Sequence, residues 1–330
     1  MSSPDPRNPN NVQKPFLSLA PVVVILGPTA VGKSEIAIQL AEQFGGEIVS
    51  ADSRLFYRGM DIGTAKPSPE DRNRVPHHLI DVADPDEVWN LGLFQKEAYK
   101  VIRGIIDRHH LPFIVGGTGQ FIRAITEGWS IPAQEPNHQL RKALTDWSEQ
   151  IGPLELHKKL AILDPAAAEA IDPTNLRRTI RALEVIFSTG RRFSEQRTRG
   201  ESFINPLLLG LTCSREELYQ RIDDRIAKMI EAGFVSEVQR LLEQGYSPDL
   251  PTLSAIGYGE IVAYLQGSIL LEEAIISIKR RTRMFVRRQA NWFKLDDPQI
   301  HWFQRNLTAR QQMEELISIW LKETKWGKNP

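Results

Sequence analysis

The eight residues GPTAVGKS, Gly27 to Ser34, have the types and spacing of a phosphate cradle. Gly27 and Gly32 let a backbone fold so that successive N–H groups point inward, and a helix opening near Lys33 would add the positive end of its dipole. Lys33 supplies a point charge for the outer phosphate and Ser34 a hydroxyl for Mg2+. Pro28, Thr29, Ala30 and Val31 complete the loop that encloses the anion. The motif selects a diphosphate or triphosphate without saying what else the ligand carries.

Asp52 follows the apolar run EIVSA, at the end of a predicted strand where open α/β sheets place their ligands. A carboxylate there can hold Mg2+, accept a proton or cap the following turn. Arg221 and Arg225 lie one helical turn apart in RIDDRI, either toward a phosphate or on an exposed face salt-bridged to Asp224. The segment DSRLFYRGMDIGTAKP predicts a long irregular loop, a kind more often functional than idle, with Tyr57, Arg58 and Lys66 facing either a ligand or solvent. No Asn-Lys-x-Asp guanine reader is present. The strand LPFIVGG ends in VGGTG instead of the acid a hydrolase needs, which disfavours ordinary nucleotide hydrolysis and leaves a small-molecule kinase open.

Two runs, LRRTIRALEVIFSTGRRFSEQRTR from Leu176 and KRRTRMFVRRQANWFK from Lys279, are dense in Lys and Arg with few acids, an imbalance suited to phosphate backbones. Phe285, Trp292 and Phe293 are interleaved with the second run, placed either to stack on unpaired bases or to form the buried face of a basic helix. His77 and His78 lack the further ligands of a metal site and suit surface or capping roles.

These residues need a scaffold, and the pattern from Pro21 supplies one. PVVVIL, GEIVS, LPFIVGG and PLLLGLTC have the continuous apolar character of parallel strands buried on both faces, separated by amphipathic segments such as SEIAIQLAEQF. From about Ile131 to Phe203 the pattern is helical. Leu176, Ile180, Leu183 and Phe187 share one face, which leaves Arg177 and Arg181 on another. Leu218, Ile222, Ile226 and Ile230, at four-residue steps, predict a further long helix, with helices continuing to the end. The expected fold is α/β: a P-loop NTPase-like parallel sheet flanked by helices, with an inserted all-helical subdomain. Residues 20–130 and 204–330 form the core, 131–203 the insertion and 1–19 a disordered tail, with SIPAQEPN marking a boundary.

Composition sets limits. Net charge is zero over 330 residues, so nucleic-acid binding has to come from local clustering. The single cysteine, Cys213, excludes an internal disulfide and any Cys-rich metal site and suits a reducing compartment. No apolar run reaches the roughly eighteen residues of a membrane helix. The opening MSSPDPRNPNNVQKP is neither a secretory signal nor a transit peptide. A cytoplasmic monomer without membrane contact is expected.

Together GPTAVGKS, SADSRLFYRGMDIGTAKP, VGGTG, RALEV, IGYGE and RTRMFVRRQANWF, in this order, resemble the tRNA dimethylallyltransferase, or tRNA isopentenyltransferase, family over nearly all of the chain from Pro21 to about Lys294. The resemblance implies transfer of a dimethylallyl group from dimethylallyl diphosphate to N6 of the adenine 3′-adjacent to the anticodon, in tRNAs reading codons that begin with U. It implies that Gly27 to Ser34 bind the donor with Mg2+, that Asp52 is the general base, and that Lys33, Thr118 and Arg225 share the catalytic site. Contacts to the tRNA anticodon stem-loop are implied for Asp52, Ser53, Arg54, Leu55, Thr118, Arg141, Arg177, Arg178, Thr179, Ile180 and Arg181. The same holds for Ser254, Ala255, Ile256, Gly257, Tyr258, Gly259, Arg287, Arg288, Gln289, Trp292 and Lys294. Departures are Gly259 where the family usually carries arginine, Leu55 where many members carry glutamine, and TRMFVRRQANW for the commoner TRQYAKRQ pattern. An adenylate isopentenyltransferase acting on free AMP, ADP or ATP is the nearest alternative.

Overall fold

Val22 to Leu26 are apolar, mostly β-branched and fully buried, as a strand covered on both faces must be. They form the body of β1 (Ala20–Leu26) in a computed structural model that describes residues 19–131, 137–196, 202–324 and 326. The expected tail therefore lies outside the described residues except for Leu19, as do residues 132–136 of the boundary segment and Arg197 and Arg199 of the first basic run. The chain continues through α1 (Lys33–Gln43), β2 (Gly46–Ser50), α2 (Pro69–Arg74), β3 (His77–His78), α3 (Leu91–Asp107), β4 (Leu111–Gly116) and α4 (Gly119–Thr126). Five helices follow: α5 (His138–Ile151), α6 (Pro153–Leu163), α7 (Pro165–Ala170), α8 (Leu176–Thr189) and α9 (Phe193–Gln196). The remainder is β5 (Ile204–Thr212), α10 (Arg215–Glu231), α11 (Phe234–Glu243), α12 (Tyr258–Leu265), α13 (Leu271–Gln289), β6 (Ile300–Gln304) and α14 (Ala309–Glu323).

The strands form one sheet in the order β3-β2-β4-β1-β5-β6, with every neighbouring pair parallel. Strands β2, β3 and β4 lie to one side of β1, and β5 and β6 to the other. The carboxyl end of β1 is thus a switch point, where a crevice opens for a ligand. The fold is the expected α/β class, but two strands depart from the sequence pattern. IHWFQ, within the stretch expected to be helical, pairs with β5 from Leu208↔Ile300 to Thr212↔Gln304, and His77–His78 pair with Ile48 and Val49 instead of capping.

The helix α10 starts where the Ser214 side chain accepts the Glu217 N–H, and Glu216 and Glu217 complement its dipole. Leu218, Ile222 and Ile226 are buried at four-residue steps, so Arg221 and Arg225 project together from another face.

The described chain divides into two compact units. One holds the sheet; the other comprises Asn90–Lys96 and Arg123–Glu201 and includes α5 to α9. The helical unit has its own core of Leu144, Leu156, Leu160, Ala167, Ala168, Ile171, Ile180, Ala182 and Leu183. Within it, buried Glu184 accepts hydrogen bonds from Asn137 N (2.8 Å), Arg141 Nε (2.9 Å) and Arg181 (2.7 Å), pinning α5 to α8.

In the sheet unit a second buried acid, Glu47 on β2, accepts hydrogen bonds from Arg108 (2.7 and 3.0 Å), His78 (2.6 Å) and His110 (2.7 Å). Burial pushes its carboxyl upward, but the bonds from Arg108, His78 and His110 outweigh that and bring it down to about 2. Its stabilisation is therefore complete above the ordinary value of 4.5 and is lost as pH falls toward about 2. Glu47→Ala is expected to cost about 2 kcal/mol at neutral pH, since it removes the charge-assisted hydrogen bonds that Arg108, His78 and His110 make to a buried carboxylate. Urea denaturation of both proteins should show that gap narrowing once the pH drops below 4.5.

Candidate active site

A cavity of about 1280 Å3 opens at the carboxyl edge of the sheet, lined by the 27–34 loop, the segment after β2, the 55–69 loop and α10. The loop begins at Gly27, whose φ is +144°. A Cβ there would lie 2.3 Å from the Leu211 carbonyl oxygen of β5, so only glycine lets the loop leave β1 at this angle. Thr29, Ala30, Gly32, Lys33 and Ser34 line the cavity, while Gly27 and Val31 are buried beneath it.

Lys33 Nζ donates to the Pro28 carbonyl at 2.8 Å. Burial lowers its ammonium to about 8; the Asp52 charge opposes that and the Arg225 charge adds to it. An anion arriving in the cavity therefore meets a cation kept charged below pH about 8. Arg221 Nε donates to the Ala30 carbonyl at 2.7 Å, and Arg225 to the Thr64 carbonyl at 3.1 Å. Burial pulls the Arg225 guanidinium below the ordinary arginine value, against the pull of Asp52. The expected alternative of a face salt-bridged through Asp224 does not hold: Asp224 accepts from Gln220, and both arginines turn toward loop carbonyls.

Asp52 lies two residues past β2, where its Oδ1 accepts the Arg54 N–H at 3.0 Å in a tight turn. Its other carboxylate oxygen has no hydrogen-bond partner among the described residues, and the side chain lines the cavity with Ser34, Lys33 and Arg225. The Ser34 hydroxyl, a hard oxygen donor in the cavity lining, is of the kind Mg2+ takes. Thr118 stands two residues beyond Gly116, which lines the cavity; its own side chain is half-buried outside that lining. Leu55 lines the cavity, whereas Ser53 and the exposed Arg54 do not.

Other expected contact residues divide by burial. Arg177 and Arg178 on α8, Ser254, and Arg287, Arg288 and Lys294 around the end of α13 are exposed; Ile256 and Gly259 are half-buried. Thr179, Ile180, Ala255 and Tyr258 are buried, and the Gly257 N–H is taken by Glu260, so these present little side-chain surface. Arg141 and Arg181 are shared with Glu184. Trp292 packs beside Gly119 and Phe293 is buried. Arg58 and Lys66 line the cavity but carry ion pairs of their own: the buried Lys66 ammonium donates to the Tyr57 carbonyl and pairs with Asp61 and Asp81, while Arg58 pairs with Asp84; Tyr57 is buried outside the lining.

Gln289 is the clearest correction. Its amide is buried, with Oε1 accepting the Thr29 N–H at 2.9 Å and Nε2 donating to the Gly117 carbonyl at 2.9 Å. It ties the phosphate loop to the loop after β4. Two residues escaped the sequence pattern. Arg305, directly after the unexpected β6, brings Nε to 3.4 Å from where a Cβ on Gly32 would sit and pairs with Glu217 at 3.0 Å. Glu237, on α11, organises the 61–63 backbone from beneath the cavity floor.

Parallel sheet, glycine cradle and facing cations define a P-loop-type enzyme that handles a condensed phosphate. The family model for IPP transferase matches residues 55–296, and one for isopentenyl transferase matches residues 20–81. A tRNA dimethylallyltransferase of Thermomicrobium roseum is 50% identical over 304 residues, 92% of each chain. One from Roseiflexus is 50% identical over 276 residues, 84% of this chain and 90% of its own. Among solved structures, the tRNA isopentenylpyrophosphate transferase from Bacillus halodurans is 39% identical with a TM-score of 0.69, over 92% of this chain and 98% of that one. A eukaryotic dimethylallyltransferase acting on tRNA is 27% identical with a TM-score of 0.75, over 94% of this chain and 80% of that one. The chain belongs to the IPP transferase family.

Gln289→Ala should leave the Thr29 N–H and the Gly117 carbonyl without their partner. An unfolding free energy lower by about 2 kcal/mol in urea titrations is expected. Inorganic pyrophosphate should also bind severalfold more weakly by calorimetry.

Proposed function

We propose that the chain transfers a dimethylallyl group from dimethylallyl diphosphate to N6 of the adenine 3′-adjacent to the anticodon of tRNA, releasing diphosphate. The observation that carries this reading is the convergence of Lys33, Arg225 and Asp52 on one cavity beside the glycine loop. An adenine amine is a weak nucleophile because its lone pair is delocalised into the ring. The allylic carbon must therefore become strongly electrophilic as its bond to the diphosphate oxygen breaks. Lys33, Arg225 and the loop N–H groups stabilise the charge that gathers on the departing diphosphate, a preorganised effect that contributes several kcal/mol. Asp52 accepts the N6 proton as the new C–N bond forms, and its open carboxylate oxygen suits that task.

Ser34 would hold Mg2+, which when bound supplies further positive charge to the diphosphate, leaving the open oxygen of Asp52 for the proton. The acceptor adenine has to leave the anticodon-loop stack, at a cost of a few kcal/mol. Phosphate contacts from Arg177, Arg178, Arg287, Arg288 and Lys294 offset that cost, and Thr118 faces the acceptor. The deciding experiment is mass spectrometry of anticodon loops after incubation of the purified protein with unmodified tRNA and dimethylallyl diphosphate. Prenylation of AMP with tRNA left untouched would reassign the acceptor.

Asp52→Ala is expected to slow transfer by two to four orders of magnitude, roughly the usual worth of a general base, while tRNA affinity by filter binding stays near the parent value. Arg177→Ala combined with Arg178→Ala should weaken tRNA binding and flatten its dependence on salt concentration by roughly one unit of slope per arginine.

A further inference from the structure

The helix α11 carries an anomaly in its apolar stripe. Phe234, Val238 and Leu241 are buried on one face at helical spacing, and Glu237 is buried among them at 1% exposure. A buried carboxylate is costly unless its oxygens are satisfied. Here they are satisfied by the floor of the cavity. Oε2 accepts the N–H groups of Asp61 (2.9 Å) and Ile62 (2.6 Å); Oε1 accepts the Gly63 N–H (3.1 Å) and the Tyr258 hydroxyl (2.7 Å). Three consecutive amides converging on one carboxylate form a nest, the backbone arrangement that elsewhere captures anionic ligands.

The nest is fixed from every side. A Cβ on Gly63 would fall 2.1 Å from Phe234 and 2.7 Å from Tyr258, whose rings meet edge to face at 5.0 Å, so residue 63 has to be glycine for the backbone to reach Glu237. The next residue closes the turn, as Thr64 Oγ1 donates to the Met60 carbonyl at 2.6 Å. The Thr64 carbonyl accepts Arg225 at 3.1 Å, the one hydrogen bond found for that guanidinium among the described residues.

We propose that Glu237 is a positioning residue for the transfer reaction. By holding the 61–63 amides it aims the Thr64 carbonyl, and through that carbonyl it sets the place of Arg225 in the cavity. This rests on the donor-binding reading of the cavity. Tyr258 completes the arrangement: burial, then the Glu237 charge, raises its phenol, so it stays neutral and donates. Glutamine at position 237 would turn an NH2 toward one of its present donors and remove the charge that holds all of them.

The test compares E237Q, Y258F, R225K and the double variant E237Q/R225K. Calorimetry with inorganic pyrophosphate, kcat and KM for prenyl transfer, and tRNA affinity are measured for each. E237Q is expected to weaken pyrophosphate binding about tenfold and to lower kcat between about ten- and a hundredfold, the range seen for outer-shell partners, with tRNA affinity unchanged. The double variant should be no worse than R225K alone, because both changes act through one guanidinium. Y258F should move the same quantities the same way by a smaller factor, and it decides the matter if E237Q does not fold. Parent-like pyrophosphate affinity and kcat in the folded variant, or losses that multiply with R225K, would overturn the positioning role. Failure of the unaltered protein to bind pyrophosphate would overturn the donor-site reading and this inference with it.

Discussion

The structure turns on keeping two cations charged where water is scarce before any anion has arrived. Lys33 and Arg225 sit at the cavity wall, each shifted by burial toward losing its proton, and each held by a backbone carbonyl and the field of a single carboxylate, Asp52. Isolated charges in such a place are expensive. The carbonyls of Pro28 and Thr64 offset part of that cost without neutralising the charge, so the field stays available to a phosphate. A salt bridge in the same position would have spent it.

This requirement explains features that otherwise look unrelated. The loop leaves β1 where the strand order turns, and it approaches β5 so closely that a methyl group at residue 27 would meet the Leu211 carbonyl. The regular burial of Leu218, Ile222 and Ile226 delivers two arginines to one wall of the cavity. Elsewhere cations are treated in the opposite way. Arg283 Nη2 reaches both carboxylate oxygens of Asp223, Arg281 bonds to Glu260, and Arg141 and Arg181 share Glu184. The basic runs are therefore less positive than their composition suggests. The charge left exposed resides in fewer residues, among them Arg177, Arg178, Arg288 and Lys294.

Legibility in the sequence follows the range of the interactions. Strands β1, β2, β4 and β5, the glycine loop, the position of Asp52 and the stripe of α10 are local patterns, and the structure places them within a residue or two of expectation. The strand β6 was hidden because IHWFQ lacks the continuous apolar run of a strand buried on both faces and has only a partial alternation. The two residues of β3 have no period at all; they become a strand because Ile48 and Val49 lie alongside. Pairings such as Arg281 with Glu260, or the amide of Gln289 between Thr29 and Gly117, join positions remote in the chain. No single-sequence pattern announces them. Glu237 is the instructive intermediate case: an acid in the middle of an apolar stripe is a visible signal that a buried polar network exists, although its partners become evident only in three dimensions.

The outermost strand on one side of the sheet is a two-residue ribbon, and the imidazole of His78 is fastened inward to Glu47. A margin that short presents almost no ladder of free amides onto which a foreign polypeptide could extend the sheet. The same economy that makes β3 invisible to pattern-reading therefore guards this rim against self-association through strand addition.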